Sequence, residues 1–188
     1  MMLINKYIDM PLENINIEDM DISAPLIGRA MLGGIVGCCG NTTAKNIQSR
    51  IQNVDIKNVD INKEVKRFAF NGGIIGLVKE GVKKCEISNV KIIGDKNNKN
   101  TITGYRHSGG IIGLTSSNTI IDNCLIENYE MITDEYGEDV GGIVGKINEN
   151  KSTLIVKNSK ISDCVIKIND KLAFGAYRFQ LLYAAAKA

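Results

Sequence analysis

The sequence predicts an all-β fold, a right-handed parallel β-helix (solenoid) of about five coils, and three observations predict it. An asparagine-centred segment recurs five times: Leu12-Glu-Asn14-Ile15-Asn-Ile17, Ile51-Gln-Asn53-Val54-Asp-Ile56, Ile87-Ser-Asn89-Val90-Lys-Ile92, Ile121-Asp-Asn123-Cys124-Leu-Ile126 and Val156-Lys-Asn158-Ser159-Lys-Ile161. About 20 to 22 residues beyond the start of each of the first four copies, a glycine pair opens an apolar run, at Gly33-Gly34, Gly72-Gly73, Gly109-Gly110 and Gly141-Gly142. Successive copies are 34 to 39 residues apart, the signature of one supersecondary unit stacked repeatedly.

The asparagine unit is mostly two pentads in tandem, as in Asn53-Val54-Asp-Ile56-Lys-Asn58-Val59-Asp-Ile61. Two apolar residues two apart share one side of a strand. Five is odd, so a straight strand would turn the second pair outward. Both pairs face inward only if the backbone bends at Asn58, and asparagine tolerates the left-handed dihedrals of a tight corner. The same doubling places Asp19, Asn128 and Asp163 at second corners, whereas the third copy loses the pattern at Ile93-Gly94-Asp95.

Stacking aligns like residues. Asn14, Asn53, Asn89, Asn123 and Asn158 form an expected asparagine ladder, with side-chain amides bonding along the stack. Ile17, Ile56, Ile92, Ile126 and Ile161 form an expected apolar column, as do Ile15, Val54, Val90, Cys124 and Ser159; Ile and Val suit pleated, buried surfaces. The glycine-pair run is expected to supply another strand of each coil, its glycines permitting a sharp turn or a close backbone approach. Lys96 to Asn100 and Asn148 to Ser152 read as outward loops of variable length.

The repeat domain spans 1–172, with units near 12–50, 51–86, 87–120, 121–155 and 156–172. Before Leu12 there is no glycine-pair strand, so the first coil is expected to be incomplete. Residues 173–188 read as a capping strand or short helix, which a solenoid needs to stop end-to-end pairing, or as a processing remnant.

Composition narrows the function. Of 188 residues, 44% are hydrophobic, enough for a substantial core, and the net charge is +2 with lysines and acids interleaved. That net charge is too small to imply a nucleic-acid or membrane-surface partner by itself, and no nucleic-acid partner is expected. Tryptophan is absent and aromatics are 5%, which argues against stacking platforms for sugars or single-stranded nucleic acid. No basic-then-apolar leader and no apolar run of about 18 residues is visible, so no membrane span is expected.

Chemistry-bearing residues are sparse. Five cysteines leave at least one unpaired; Cys124 and Cys164 read as small buried hydrophobes, and no disulfide framework or zinc pattern is supported. His107, the single histidine, reads as a loop residue facing water, with a nucleophile–base pairing to Ser108 or Cys85 as the alternative. Asp55 and Asp60 point outward, with Lys91 and Lys160 in the place of Asp55. Neighbouring coils would then show mixed charge, and a carbohydrate-cleaving site there is the alternative. Asp134 to Asp139 reads as a solvated turn, with weak calcium binding as the alternative. No catalytic, cofactor-binding or metal-ligating set is assigned, and no cofactor is expected.

From Leu12 to Ile166, the Gly-Gly-Ile-Ile/Val-Gly run followed by an Ile-x-Asn-Cys/Val/Ser strand resembles the GLUG repeat, with isoleucine where that family usually has leucine and with longer loops. The resemblance implies a β-helical stalk or binding segment of bacterial surface and secreted proteins, adhesin-like proteins and some immunoglobulin-cleaving peptidases among them. It carries over no catalytic residue. The expectation is a noncatalytic structural or binding module presenting loops such as Asn97 to Tyr105 to a protein or glycan ligand. The alternatives are a polysaccharide-active β-helix enzyme and a phage-like or tail-like assembly component. Location is expected to be extracellular or on the cell surface within a longer chain, or cytoplasmic in the absence of a leader; oligomeric state is left open.

Overall fold

Backbone conformation at the pentad corners organises the molecule. In the computed structural model, residues 4–7, 11–23, 30–40, 47–61, 69–104, 106–133, 139–148, 152–168 and 171–172 are described. Among them, every non-glycine residue with positive φ is the asparagine or aspartate of a pentad. These are Asn14, Asp19, Asn53, Asn58, Asn89, Asn123, Asn128, Asn158 and Asp163, with φ between 50° and 58°. Each bends the strand without breaking it, so Val54, Ile56, Val59 and Ile61 all face the interior at 1% exposure or less.

Strands are numbered in chain order and form three sheets running along the stack. Sheet A holds β1 (Ile4–Tyr7), β4 (Val36–Cys39), β7 (Ile75–Val78), β11 (Ile112–Thr115) and β15 (Val144–Ile147). Sheet C holds β3 (Ala30–Gly33), β6 (Ala69–Gly72), β10 (His107–Gly109) and β14 (Asp139–Gly141). Sheet B is bent at the asparagine corners. It contains β2 (Pro11–Ile22), β5 (Ile47–Ile61), β8 (Val82–Ile93), β12 (Thr119–Glu127), β16 (Leu154–Lys157) and β17 (Lys160–Ser162), and it continues through β9 (Asn100–Gly104), β13 (Tyr129–Thr133), β18 (Val165–Ile168) and β19 (Lys171–Leu172). Among the described residues all pairings are parallel except β18 with β19, which is antiparallel. The expected β-solenoid is therefore the fold, and the chain passes round the axis about four times between β1 and β15. No helix occurs among the described residues. The expected C-terminal capping helix falls on 173–188, outside the described residues.

Registers match the sequence columns. Ile17, Ile56, Ile92, Ile126 and Ile161 are successive neighbours, as are Ile15, Val54, Val90 and Cys124. At the asparagine corner, Asn53 donates its Nδ2 to Asn14 Oδ1 (3.2 Å), Asn89 to Asn53 (3.0 Å) and Asn123 to Asn89 (2.9 Å). Asn158 turns aside to Asp122 Oδ1 (2.9 Å). The ladder side chains are exposed, so they satisfy one another along the outer rim.

Two expectations are corrected. The glycine run is a corner, not a single strand: β3 ends at Gly33 and β4 begins at Val36, leaving Gly34-Ile35 at the bend. Ile35, Ile74 and Ile111 point inward there with no exposure. The glycines serve close approach, since positive φ among described glycines occurs at Gly40 and Gly81. A Cβ on Gly73 would lie 2.2 Å from the Gly110 oxygen and 2.7 Å from Ile92 Cδ1. The first coil, expected to be incomplete before Leu12, has a sheet A strand there, because β1 pairs with β4.

The corner geometry generates a test. Asn89→Ala should cost roughly 1–2 kcal/mol in urea unfolding, because a Cβ-bearing residue without a local amide resists left-handed φ. Asn89→Gly should cost less than about 1 kcal/mol, since glycine adopts that φ freely and only exposed ladder bonds are lost. Equal losses for the two variants would show that the ladder bonds, and not the left-handed φ, make asparagine necessary there.

Candidate ligand-binding cleft at the third coil

The rung that is interrupted after Ile92 builds a cleft. Gly94 stands where Asn58 and Asn128 make their corners, because Ile93 pairs with Lys57 and Glu127. The strand resumes at Asn100, which aligns with Tyr129. Residues 95–99 are thus inserted between corner and strand. The pattern that fades after Ile92 is interrupted rather than lost, and the loop expected over Asn97 to Tyr105 is shorter, since Asn100–Gly104 is strand β9. Gly94 is required by crowding: a Cβ there would lie 2.2 Å from the Asn128 oxygen.

Local hydrogen bonds shape the insertion. Asp95 Oδ1 accepts the amides of Asn97 (2.6 Å) and Asn98 (3.0 Å), and the Asp95 amide donates to Asn100 Oδ1 (2.9 Å). The Asn98 and Asn97 amides hold the Asp95 carboxyl below its ordinary range. Below the loop, Asp60 Oδ1 accepts the Thr101 amide (2.6 Å) and hydroxyl (3.1 Å). Glu130, beside Thr101 in the next strand, pairs with Lys167 at 2.9 Å. A cleft of about 460 Å³ opens here, lined by Asp60, Lys96, Asn97, Asn98, Lys99, Thr101 and Glu130. It is polar, of mixed charge, and without an aromatic wall.

Tyr129 repairs the gap that the insertion leaves. Its hydroxyl donates to the Val59 carbonyl (2.9 Å) and accepts the Val59 amide (3.2 Å), spanning the third coil to reach the second. Burial pushes its phenol well above the ordinary value. Both Val59 backbone groups are satisfied where the displaced third coil offers them no strand.

The remaining candidates do not converge. His107 is buried in β10, not on a water-facing loop; it stacks on Phe70 at 5.1 Å and lies 3.1 Å from Asp139 Oδ2. Sheet register causes this, aligning His107 with both Phe70 and Asp139. Lys146 also reaches Asp139 Oδ2, at 3.1 Å. Ser108 bonds the Ile132 carbonyl (3.2 Å) and Cys85 bonds Cys39, so both nucleophiles are engaged elsewhere. Asp55 aligns with Lys91 and, three rungs on from Asp55, with Lys160, which spreads those charges along the rod. The acidic stretch lies outside the described residues except for Asp139. Among the described residues, no group of three or more His, Cys, Asp or Glu could hold a metal ion. No helix there is long and apolar enough to cross a membrane.

Compared with protein-family models, curated proteins and solved structures, the chain shows no match, so the geometry carries the functional reading. Sequence reasoning located the loop, Thr101 included, and Asp60 but missed Glu130 and Tyr129. The break after Ile92, together with an aromatic at a column otherwise held by Val59, was the available signal.

Two outcomes follow. Tyr129→Phe leaves the buried Val59 amide and carbonyl without partners, so it should cost about 1–3 kcal/mol in urea unfolding. The second concerns pH. Burial raises the Cys124 thiol from 9.0 to about 11. A raised folded value means that stability is full below pH 9 and falls as pH climbs to about 11, by roughly 2–3 kcal/mol. Cys124→Val, which copies its register neighbour Val90, should flatten that alkaline limb.

Proposed function

We propose that this chain is a noncatalytic repeat module of the GLUG kind, a rigid rod from a bacterial surface or secreted protein that offers a polar cleft to a ligand. The observation that carries the reading is the 95–99 insertion: this interrupted rung is where the cleft opens. A solenoid holds such a loop on a fixed frame, which lowers the ordering cost of binding. Paired acids and lysines without an aromatic wall favour a protein surface of mixed charge over a stacked sugar.

A second reading, a polysaccharide-active enzyme, draws on Asp60 and Glu130 lining one cleft with two lysines. Against it, Asp60 is occupied by Thr101 and Glu130 by Lys167, so the carboxylates act as structural acceptors. Assembly by coil stacking across chains is disfavoured along β18, whose edge is taken by β19.

Surface plasmon resonance against a panel of host matrix proteins, with glycans in parallel, tests the proposal. The chain should bind at least one protein, and the Lys96→Glu/Lys99→Glu variant should lose at least tenfold in affinity while unfolding at the same urea midpoint. No binding, or equal binding by the variant, would refute the cleft's role. Product release from a glycan panel would favour the enzyme.

A further inference from the structure

Sheets A and B meet at an inner corner where two cysteines from successive rungs converge. Cys39 closes β4, and Cys85 lies in β8, one rung further along. Neither is exposed at all. Cys39 Sγ lies 2.8 Å from Ser49 Oγ, and Ser49 is the register neighbour of Cys85 across β5 and β8. The Cys39 and Cys85 thiols lie within interaction range of one another. Cys124 and Cys164 instead turn their sulfurs to backbone oxygens, of Asp122 (3.3 Å) and Ser162 (3.2 Å). At the corresponding positions, neighbouring rungs carry Tyr7 and Val78 beside Cys39, and Ser49 and Thr119 beside Cys85. Neither column is therefore held by cysteine in neighbouring rungs, and facing thiols are not needed to fill them.

We propose that Cys39 and Cys85 form a disulfide when the chain folds in an oxidising compartment, stapling β4 of one rung to β8 of the next. The oxidant is a small-molecule disulfide. One of the two cysteine thiolates attacks one of its sulfurs, forming a mixed disulfide and expelling one small thiolate. The other cysteine thiolate then attacks the cysteine sulfur of that mixed disulfide, closing the bridge and expelling the second. Two protein thiols are oxidised, one small disulfide is reduced to two thiols, and the two protons leave with them. Because both are sealed in the closed stack, exchange takes place before the two coils close on one another. The bridge does not depend on the cleft or its ligand.

The test refolds the full chain from urea in a mixture of reduced and oxidised glutathione, blocks free thiols with N-ethylmaleimide and maps peptides by mass. A Cys39–Cys85 linked peptide should appear, with Cys38, Cys124 and Cys164 alkylated. The urea midpoint should rise by roughly 1–2 M over the reduced chain. Cys39→Val and Cys85→Ser, which copy residues already in those columns, should fold with unchanged circular dichroism and lack that rise. Five alkylated cysteines after oxidative refolding, or a bridge using Cys38, would overturn the proposal.

Discussion

The left-handed corner is the constraint on which the molecule rests. An L-residue at φ near 55° is held against its own Cβ, and asparagine and aspartate accept that conformation most readily because the short polar side chain bonds nearby. Among the described residues nine hold it, two per coil wherever the pentad is intact. Without the bend, an odd five-residue spacing would alternate apolar pairs between interior and water. With it, one continuous core of isoleucine and valine runs the length of the rod. Secondary structure, burial and register thus follow from one dihedral choice repeated down a column.

The opposite corner solves a different problem. At Gly34, Gly73 and Gly110 the rungs approach so closely that any side chain would meet the carbonyl of the next coil. Backbone amides then bond across the gap, as Gly34 N does to Gly73 O at 3.1 Å. One edge is turned by residues that tolerate unusual dihedrals, the other by residues that take up no space. On the outer faces, charges pair from rung to rung: Glu18 with Lys57, Arg50 with Glu86, Asp122 with Lys157. Exposed pairs of this kind add little stability, but each favours the correct neighbour over a slipped one.

Much of this was legible because a repeat states its geometry several times. Asn53 alone is a weak turn signal; Asn53 aligned with Asn89 and Asn123, each followed by two inward apolar residues, fixes corner, face and register together. Most of what escaped occurs once. Gly94 keeps its corner by yielding to the Asn128 carbonyl, which no spacing rule reveals. His107 is drawn inside because its neighbours across the sheet are Phe70 and Asp139, a relation visible only after stacking. The glycine run read as a strand because its isoleucines look like one; crowding between rungs makes it a bend. The cleft was half visible, since a broken pattern marks an insertion but does not say which side chains surround it.

Tyr129 alters how such a rod should come apart. In a simple stack each rung holds only its neighbours, and the ends fray one turn at a time. By grasping Val59 across the intervening coil, Tyr129 ties the second and fourth rungs into a single cooperative block with the third enclosed between them. The middle of the rod then opens all at once or not at all, and the cleft keeps its full shape until that block gives way.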